Sequence, residues 1–290
     1  MQWTQVDVHT SPEAEEAVSQ ILLDAGAHGV VIRSGPAGPV VSAYWSDPAP
    51  DLAERIAARV RALADAGLDP GPARVETALV ADEDWAQSWK KYYHPLRIGR
   101  RLLVKPAWID AADDDRLLIQ LDPGMAFGTG YHPTTVLCLE ALEEVVRPGN
   151  VVVDVGTGSG ILGIAAARLG AAAVIAVDTE LEAVEAAAAN AARNGVAGVM
   201  AVRRGSVDAA RELLGDRRAD VVVVNILAKV IDELAEDLLG LLKPGGVLVA
   251  SGIIEHASAP LQERLRSVGF AVEEERARGE WRCLIGRRSD

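Results

Sequence analysis

The sequence predicts an α/β protein, a doubly wound Rossmann-like domain preceded by a small α+β domain of ferredoxin-like layout. Three observations carry this. The 290 residues are 49% hydrophobic and 24% charged, a composition that supports a packed core and lies outside the regime of disorder. From Arg116 onward, solid apolar runs alternate with stretches of helical period, as a parallel sheet covered on both faces requires. Over residues 1–80 the order is instead strand, helix, strand, strand, helix, strand, the split βαβ arrangement.

Trp3 to Val8 alternates like a strand, and Pro12 to Ala25 reads as a helix with Ser11 as N-cap and Gly26 just beyond its end. Gly29 to Arg33 and Val40 to Trp45 are short strands about a Gly/Pro turn. Asp51 to Ala66 is a second helix ended by Gly67, and Ala73 to Val80 the fourth strand. With no cysteine and no glycine-rich phosphate loop, this domain is either a packing module or a recognition domain. Residues 81–96 are predicted to be a connecting helix and linker. Within it, Trp85, Trp89, Tyr92 and Tyr93 fall near helical spacing. The stretch from Trp85 to Trp108 holds six basic residues and no acidic one, and a hairpin is expected around Gly99. A solvated linker that packs its aromatics satisfies this pattern; so does a contact strip for RNA or an acidic partner.

Residues 97–290 make up the second domain. Val136 to Glu144 is its first helix. Strand Val151 to Val155, helix Ile161 to Leu169, strand Val174 to Val177, helix Glu180 to Asn194 and strand Val199 to Arg203 follow. Then come strand Val221 to Val224, helix Val230 to Leu242, a turn at Lys243 to Gly246 and strand Val247 to Ala250. Ser258 to Val268 is one more helix, and Ala271 to Glu275 with Trp281 to Ile285 a closing antiparallel pair.

Charge and cysteine usage narrow the function. With 29 Lys and Arg against 42 Asp and Glu the net charge is −13, which disfavours nucleic acid as the main ligand and favours a basic partner. Cys138 and Cys283 have no paired spacing, so neither a disulfide framework nor a metal site is signalled, and a reducing cytoplasm fits. Met1 to Thr10 lacks the basic start and apolar stretch of a signal peptide. Val155 to Val177 is long enough for a membrane span, but Arg168 and five glycines interrupt it, so no membrane is expected.

In open parallel sheets, ligands lie beyond the carboxyl ends of the strands. The first such end is Asp154-Val155-Gly156-Thr157-Gly158-Ser159-Gly160, whose glycines let the backbone approach a ligand and aim a helix N-terminus at it. Asp178 ends the next strand, 22 residues after Gly156, where a carboxylate can accept from both ribose hydroxyls. A nucleoside is therefore expected. Gly158, Gly160 and Gly163 also satisfy G-x-G-x-x-G, the dinucleotide spacing, but that set begins several residues after the strand. In the earlier register Asp154 stands at the strand tip, where it would repel a pyrophosphate and attract the ammonium of a methionine moiety. S-adenosylmethionine is thus favoured over NAD. Asn225, after the strand Val221 to Val224, is placed to orient an amine, or simply to cap the next helix. Asp122 to Thr135 is a long glycine-rich segment able to fold over a ligand. In it His132 is a candidate base or a structural histidine, and Thr134 or Thr135 a helix cap.

The motifs DPGMAFGTGYHPTT, DVGTGSGILGIAA and NILA, in that order, resemble the ribosomal protein L-eleven methyltransferase (PrmA) family, and the likeness runs over nearly the whole length. The resemblance implies an N-methyltransferase that moves methyl groups from S-adenosylmethionine to lysine or N-terminal α-amines of that large-subunit ribosomal protein, which the N-terminal domain would recognise. Carried onto matching positions, it implies that Thr135, Gly156, Asp178 and Asn225 bind the cofactor and that Phe127, Thr129 and His132 line the active-site loop. Thr157 stands where many members have Cys. The candidate set is then Asn225, His132, Thr129 and Phe127 for catalysis, and Thr135, Asp154, Gly156, Gly158, Asp178 and Asn225 for the cofactor. The alternatives are a methyltransferase of another protein or of a small amine, a nicotinamide-dependent oxidoreductase, and a binding module without turnover.

Overall fold

The computed structural model describes residues 2–27, 30–35, 38–45, 48–81, 94–109, 115–121 and 130–289. The chain divides into two units, 1–93 and 94–290. The connecting helix expected at 81–96, with Trp85, Trp89, Tyr92 and Tyr93, falls mostly outside the described residues.

In the first unit, period-two alternation decides which face is covered. Val6 and Val8 of β1 (Gln2–His9) and Val41 and Ala43 of β3 (Gly38–Trp45) are buried on one face. They share a cluster with Val18 and Leu22 of α1 (Glu15–Asp24) and Ile56 and Val60 of α2 (Leu52–Arg61). With β2 (Val30–Gly35) and β4 (Arg74–Ala81) the strands run in the order β2-β3-β1-β4, every neighbour antiparallel. This is the order of the split βαβ layout. Ser11 accepts the Ala14 N–H at 3.1 Å, so the chain turns at the expected cap but the helix proper begins only at Glu15.

The second unit opens with a three-stranded sheet of β5 (Leu96–Ile98), β6 (Leu102–Pro106) and β7 (Leu117–Leu121). The hairpin expected at Gly99 joins β5 to β6, and its backbone is held by the Glu143 carboxylate, which accepts from the N–H groups of Arg100 and Arg101. Lys105 is buried, its ammonium donating to the Ile109 carbonyl, so one of the six cations of that stretch is turned away from solvent.

The main sheet has the order β10-β9-β8-β11-β12-β14-β13. Here β8 is Val151–Val155, β9 Ala173–Asp178, β10 Met200–Arg204, β11 Ala219–Asn225 and β12 Leu242–Ile254. These five are mutually parallel, and β14 (Trp281–Arg288) pairs antiparallel with both β12 and β13 (Phe270–Arg278). Alternate residues separate two cores. Val152, Val223 and Val249 pack with α3 (Pro133–Val145), α4 (Ile161–Arg168) and α5 (Leu181–Arg193). Val153, Val155, Val222 and Val224 pack with α6 (Val207–Leu214), α7 (Ala228–Leu241) and α8 (Glu255–Val268).

Strand β7 and helix α6 are elements that the sequence reading passed over, and α6 shows why. Its eight residues bury Val207, Ala210 and Leu214, a stripe too short to stand out from the polar run around it. β12 also starts earlier than expected, at Leu242. The register with β11 breaks after Ala219↔Leu242 and resumes at Val221↔Val247, so residues 243–246 still form the excursion that their Pro-Gly-Gly predicted.

Candidate active site

The carboxyl ends of β8, β9 and β11 meet at the reversal of strand order, between β8 and β11, where an open α/β sheet presents a crevice. After Val155 the chain turns at Gly156 with φ +73°, a left-handed conformation that an L residue adopts only under strain. A Cβ there would stand 2.5 Å from Ile226 Cγ2, so the loop passes directly against the segment that follows β11. The Val177 carbonyl accepts from the N–H groups of both Gly156 and Thr157, at 2.9 and 3.0 Å, and ties the loop to the end of β9.

Asp178, half-buried at the tip of β9, accepts the Gly158 N–H at 2.8 Å on one carboxylate oxygen and the Glu180 N–H at 3.1 Å on the other. Each oxygen retains a lone pair. The carboxylate is thus held in place and still open to a pair of hydroxyls, a fit to a ribose diol that the structure itself supplies. Gly163, the last glycine of the dinucleotide spacing, lies inside α4 and packs on Met200 and Val174. The loop therefore opens at Gly156, where β8 ends, in the register expected for S-adenosylmethionine.

Asp154 does something other than the sequence suggested. It was expected to meet a ligand ammonium at the strand tip. Instead it is fully buried, and its Oδ2 accepts the Thr157 hydroxyl at 2.6 Å and the Gly163 N–H at 2.9 Å, which braces the loop from beneath. Its Oδ1 is buried with no hydrogen-bond partner among the described residues. Burial pushes the pKa of this group up to about 6, against the downward pull of the Thr157 and Gly163 bonds, while the Asp178 charge adds a smaller upward push. The correction follows from the pleat: Asp154 lies on the α4 side of β8, with Val152, and its side chain meets the first turns of that helix.

At the end of β11, the Asn225 amide Nδ2 donates to Thr135 Oγ1 at 3.4 Å. Thr135 is wholly buried in the first turn of α3, so two residues 90 positions apart meet above the sheet. His132 is the N-cap of that helix. Its Nδ1 accepts the Thr134 N–H and lies 2.7 Å from the Thr134 hydroxyl. Its ring meets Trp281 edge to face, with centroids 4.8 Å apart. Burial lowers the His132 pKa, and the charge of Glu280 opposes that shift. Phe127 and Thr129 lie outside the described residues. Among the described residues no group of His, Cys, Asp and Glu is arranged to hold a metal ion, and no helix is long and apolar enough to cross a membrane.

Against known proteins, the family described as Ribosomal protein L11 methyltransferase (PrmA) matches residues 2–289. The chain belongs to the ribosomal protein L11 methyltransferase family. Relatives bearing the name "Ribosomal protein L11 methyltransferase" include one from Pelotomaculum thermopropionicum, 46% identical over 99% of each chain. Another, from Enterococcus faecalis, is 40% identical over 98% of each. The crystal structure of the ribosomal protein L11 methylase from Lactobacillus delbrueckii subsp. bulgaricus superposes with a TM-score of 0.62 at 36% identity, covering 68% of this chain and all of that one.

Two features of this L11 methyltransferase family member escaped the sequence reading. Ile226 closes over Gly156 with its side chain, and its carbonyl occupies the space a Cβ at Gly252 would need. The signal was a lone glycine in an apolar strand, which marks close backbone approach. Trp281 was read only as the start of a strand, because its contact with His132 spans 149 positions and has no local pattern.

Proposed function

We propose that this chain transfers methyl groups from S-adenosylmethionine to primary amines, lysine or N-terminal, of ribosomal protein L11 in the cytoplasm. The observation that carries the reading is the pairing of Asp178, a fixed carboxylate facing the crevice, with Asn225, an amide anchored on Thr135, across the strand reversal. Asp178 would hold the ribose, and the loop Gly156 to Gly158 the methionine side. Asp154 would support that loop rather than touch the ligand. When bound, S-adenosylmethionine supplies an electrophilic methyl group on a sulfonium. The residues of this chain align a neutral nitrogen with it and exclude water, because orientation rather than acid–base power limits such a displacement.

Asn225 is the residue that orients the nitrogen. Its Nδ2 is committed to Thr135, which leaves Oδ1 as an acceptor for an amine N–H. His132 acts as a helix cap beside the site. The N-terminal unit, with its own sheet and core, is the recognition domain for the ribosomal protein in this reading.

Intact-mass analysis of L11 after incubation with enzyme and S-adenosylmethionine tests the function. Mass increments of whole methyl groups, abolished by Asn225→Ala, are expected. An unmodified L11 in the presence of enzyme that binds the cofactor would overturn it.

A further inference from the structure

Next to Trp281, the Arg282 guanidinium neutralises two carboxylates. Glu255 pairs with Arg282 at 2.5 Å. Glu275 pairs with the same guanidinium at 3.4 Å and also accepts the Ser258 hydroxyl at 2.7 Å. Glu280 is exposed, and among the described residues its carboxylate makes no ion pair or hydrogen bond. Its backbone, by contrast, is fixed. The Glu280 carbonyl accepts the Glu255 N–H at 2.8 Å, and Arg282 Nη1 donates to Gly279 at 2.8 Å, so the β13–β14 tip is pinned from both sides.

Strand register places this tip relative to Asn225. Asn225 is level with Ser251 on β12, and Ser251 with Cys283 on β14; three residues further along β12, Ile254 is level with Trp281. At roughly 3.3 Å per residue the tip stands about 10 Å beyond Asn225 along the strand direction. That is too far for contact with a nitrogen held by Asn225, but it suits a group met on the way in. The Trp281 ring, set against His132, provides the adjoining wall, and an indole next to a carboxylate favours an alkylammonium.

We propose that Glu280 is the recognition residue for the incoming ammonium, capturing a protonated amine of a basic polypeptide at the rim before that amine loses its proton and reaches Asn225. The inference rests on the methyltransferase reading above. It assigns to Glu280 a specificity role in substrate capture, exercised through charge.

The test uses the full chain with intact L11 as substrate, comparing wild type with Glu280→Gln, Glu280→Lys and Glu280→Asp across ionic strength. Glu280→Gln should lower kcat/KM by about tenfold at low salt, carried by KM, with kcat within about twofold of wild type. The salt dependence of kcat/KM should flatten, because the screened attraction is gone. Glu280→Lys should lose more, Glu280→Asp should recover most of the loss, and affinity for S-adenosylmethionine should be unchanged in all three. An unaltered kcat/KM at low salt in Glu280→Gln, or a loss confined to kcat, overturns the proposal. A wild-type chain that leaves L11 unmodified overturns the underlying reading instead, so the two failures are distinct.

Discussion

Asp154→Asn should make the protein more stable at neutral pH and a weaker binder of S-adenosylmethionine. The wild-type carboxyl is fully buried, with one oxygen unpartnered among the described residues, and its pKa is raised from 3.8 to about 6. Below pH 3.8 both the folded and unfolded forms hold the proton, and the group contributes nothing to the balance. Between 3.8 and 6 the unfolded chain has released its proton while the folded one retains it, so stability falls as pH rises. Above 6 the full cost is present, about 3 kcal/mol at roughly 1.4 kcal/mol per tenfold change in proton affinity. An amide keeps an acceptor oxygen for the Thr157 hydroxyl and the Gly163 N–H while carrying no charge. Urea unfolding of both proteins from pH 4 to 8 should give curves that converge at the acid end and separate by about 1 to 3 kcal/mol above pH 6, the variant being the more stable. Calorimetric titration should show affinity for the cationic cofactor reduced by about 1 to 2 kcal/mol. A variant no more stable than wild type at pH 8 would refute the buried-charge argument.

Asp178→Ala removes the acceptor for both Gly158 and Glu180 and should weaken cofactor binding by about 1.5 to 3 kcal/mol; unchanged affinity in a folded variant would take Asp178 out of the site. Gly156→Val places a β-branched side chain at φ +73° against Ile226, and should abolish a measurable cofactor isotherm, whereas wild-type titration would show that the loop does not close on a ligand there. A fragment of residues 94–290, which contains both cores of the large sheet, should keep cofactor affinity by calorimetry and lose most methylation of intact L11. Undiminished kcat/KM in that fragment would move substrate recognition into the catalytic unit.

What was legible in the sequence is what repeats locally. The inner strands β8, β9, β11 and β12 could be read because burial on both faces forces continuous apolar runs, and Gly156 and Asp178 could be placed because a strand tip followed by glycines is a local event. Helix α6 was missed because three buried residues in eight leave little periodic signal. Asp154 was placed correctly at the strand but assigned the wrong neighbour. The face to which its side chain turns depends on the pleat and on α4, and both are fixed only by tertiary packing. The meetings of Asn225 with Thr135 and of His132 with Trp281 were invisible for the same reason, since sequence separation conceals what the sheet order brings together.

The amine's proton is the remaining chemical obstacle, and the geometry narrows where it goes. A lysine of pKa about 10.4 is neutral only about 4 times in 10,000 at pH 7, a cost of roughly 4.6 kcal/mol, whereas an α-amine of pKa about 7.8 costs roughly 1 kcal/mol. A protein base would need a free lone pair near Asn225. With Nδ1 of His132 accepting from Thr134, the neutral ring carries its proton on Nε2 and has no second lone pair to offer, and burial lowers its pKa against the opposing pull of the Glu280 charge. Asp154 is sealed beneath the loop, and Asp178 stands at the tip of β9, two strands from Asn225. With none of these three described residues placed to take the proton, the proposed mechanism puts deprotonation at the solvent-facing rim, ahead of alignment. In the proposed mechanism the Asn225 carbonyl oxygen, left open while its own amide donates to Thr135, would accept an N–H that only the neutral amine can present with its lone pair still available. In the proposed reading, a carboxylate at the rim draws in the cation and the neutral amide of Asn225 receives its conjugate base.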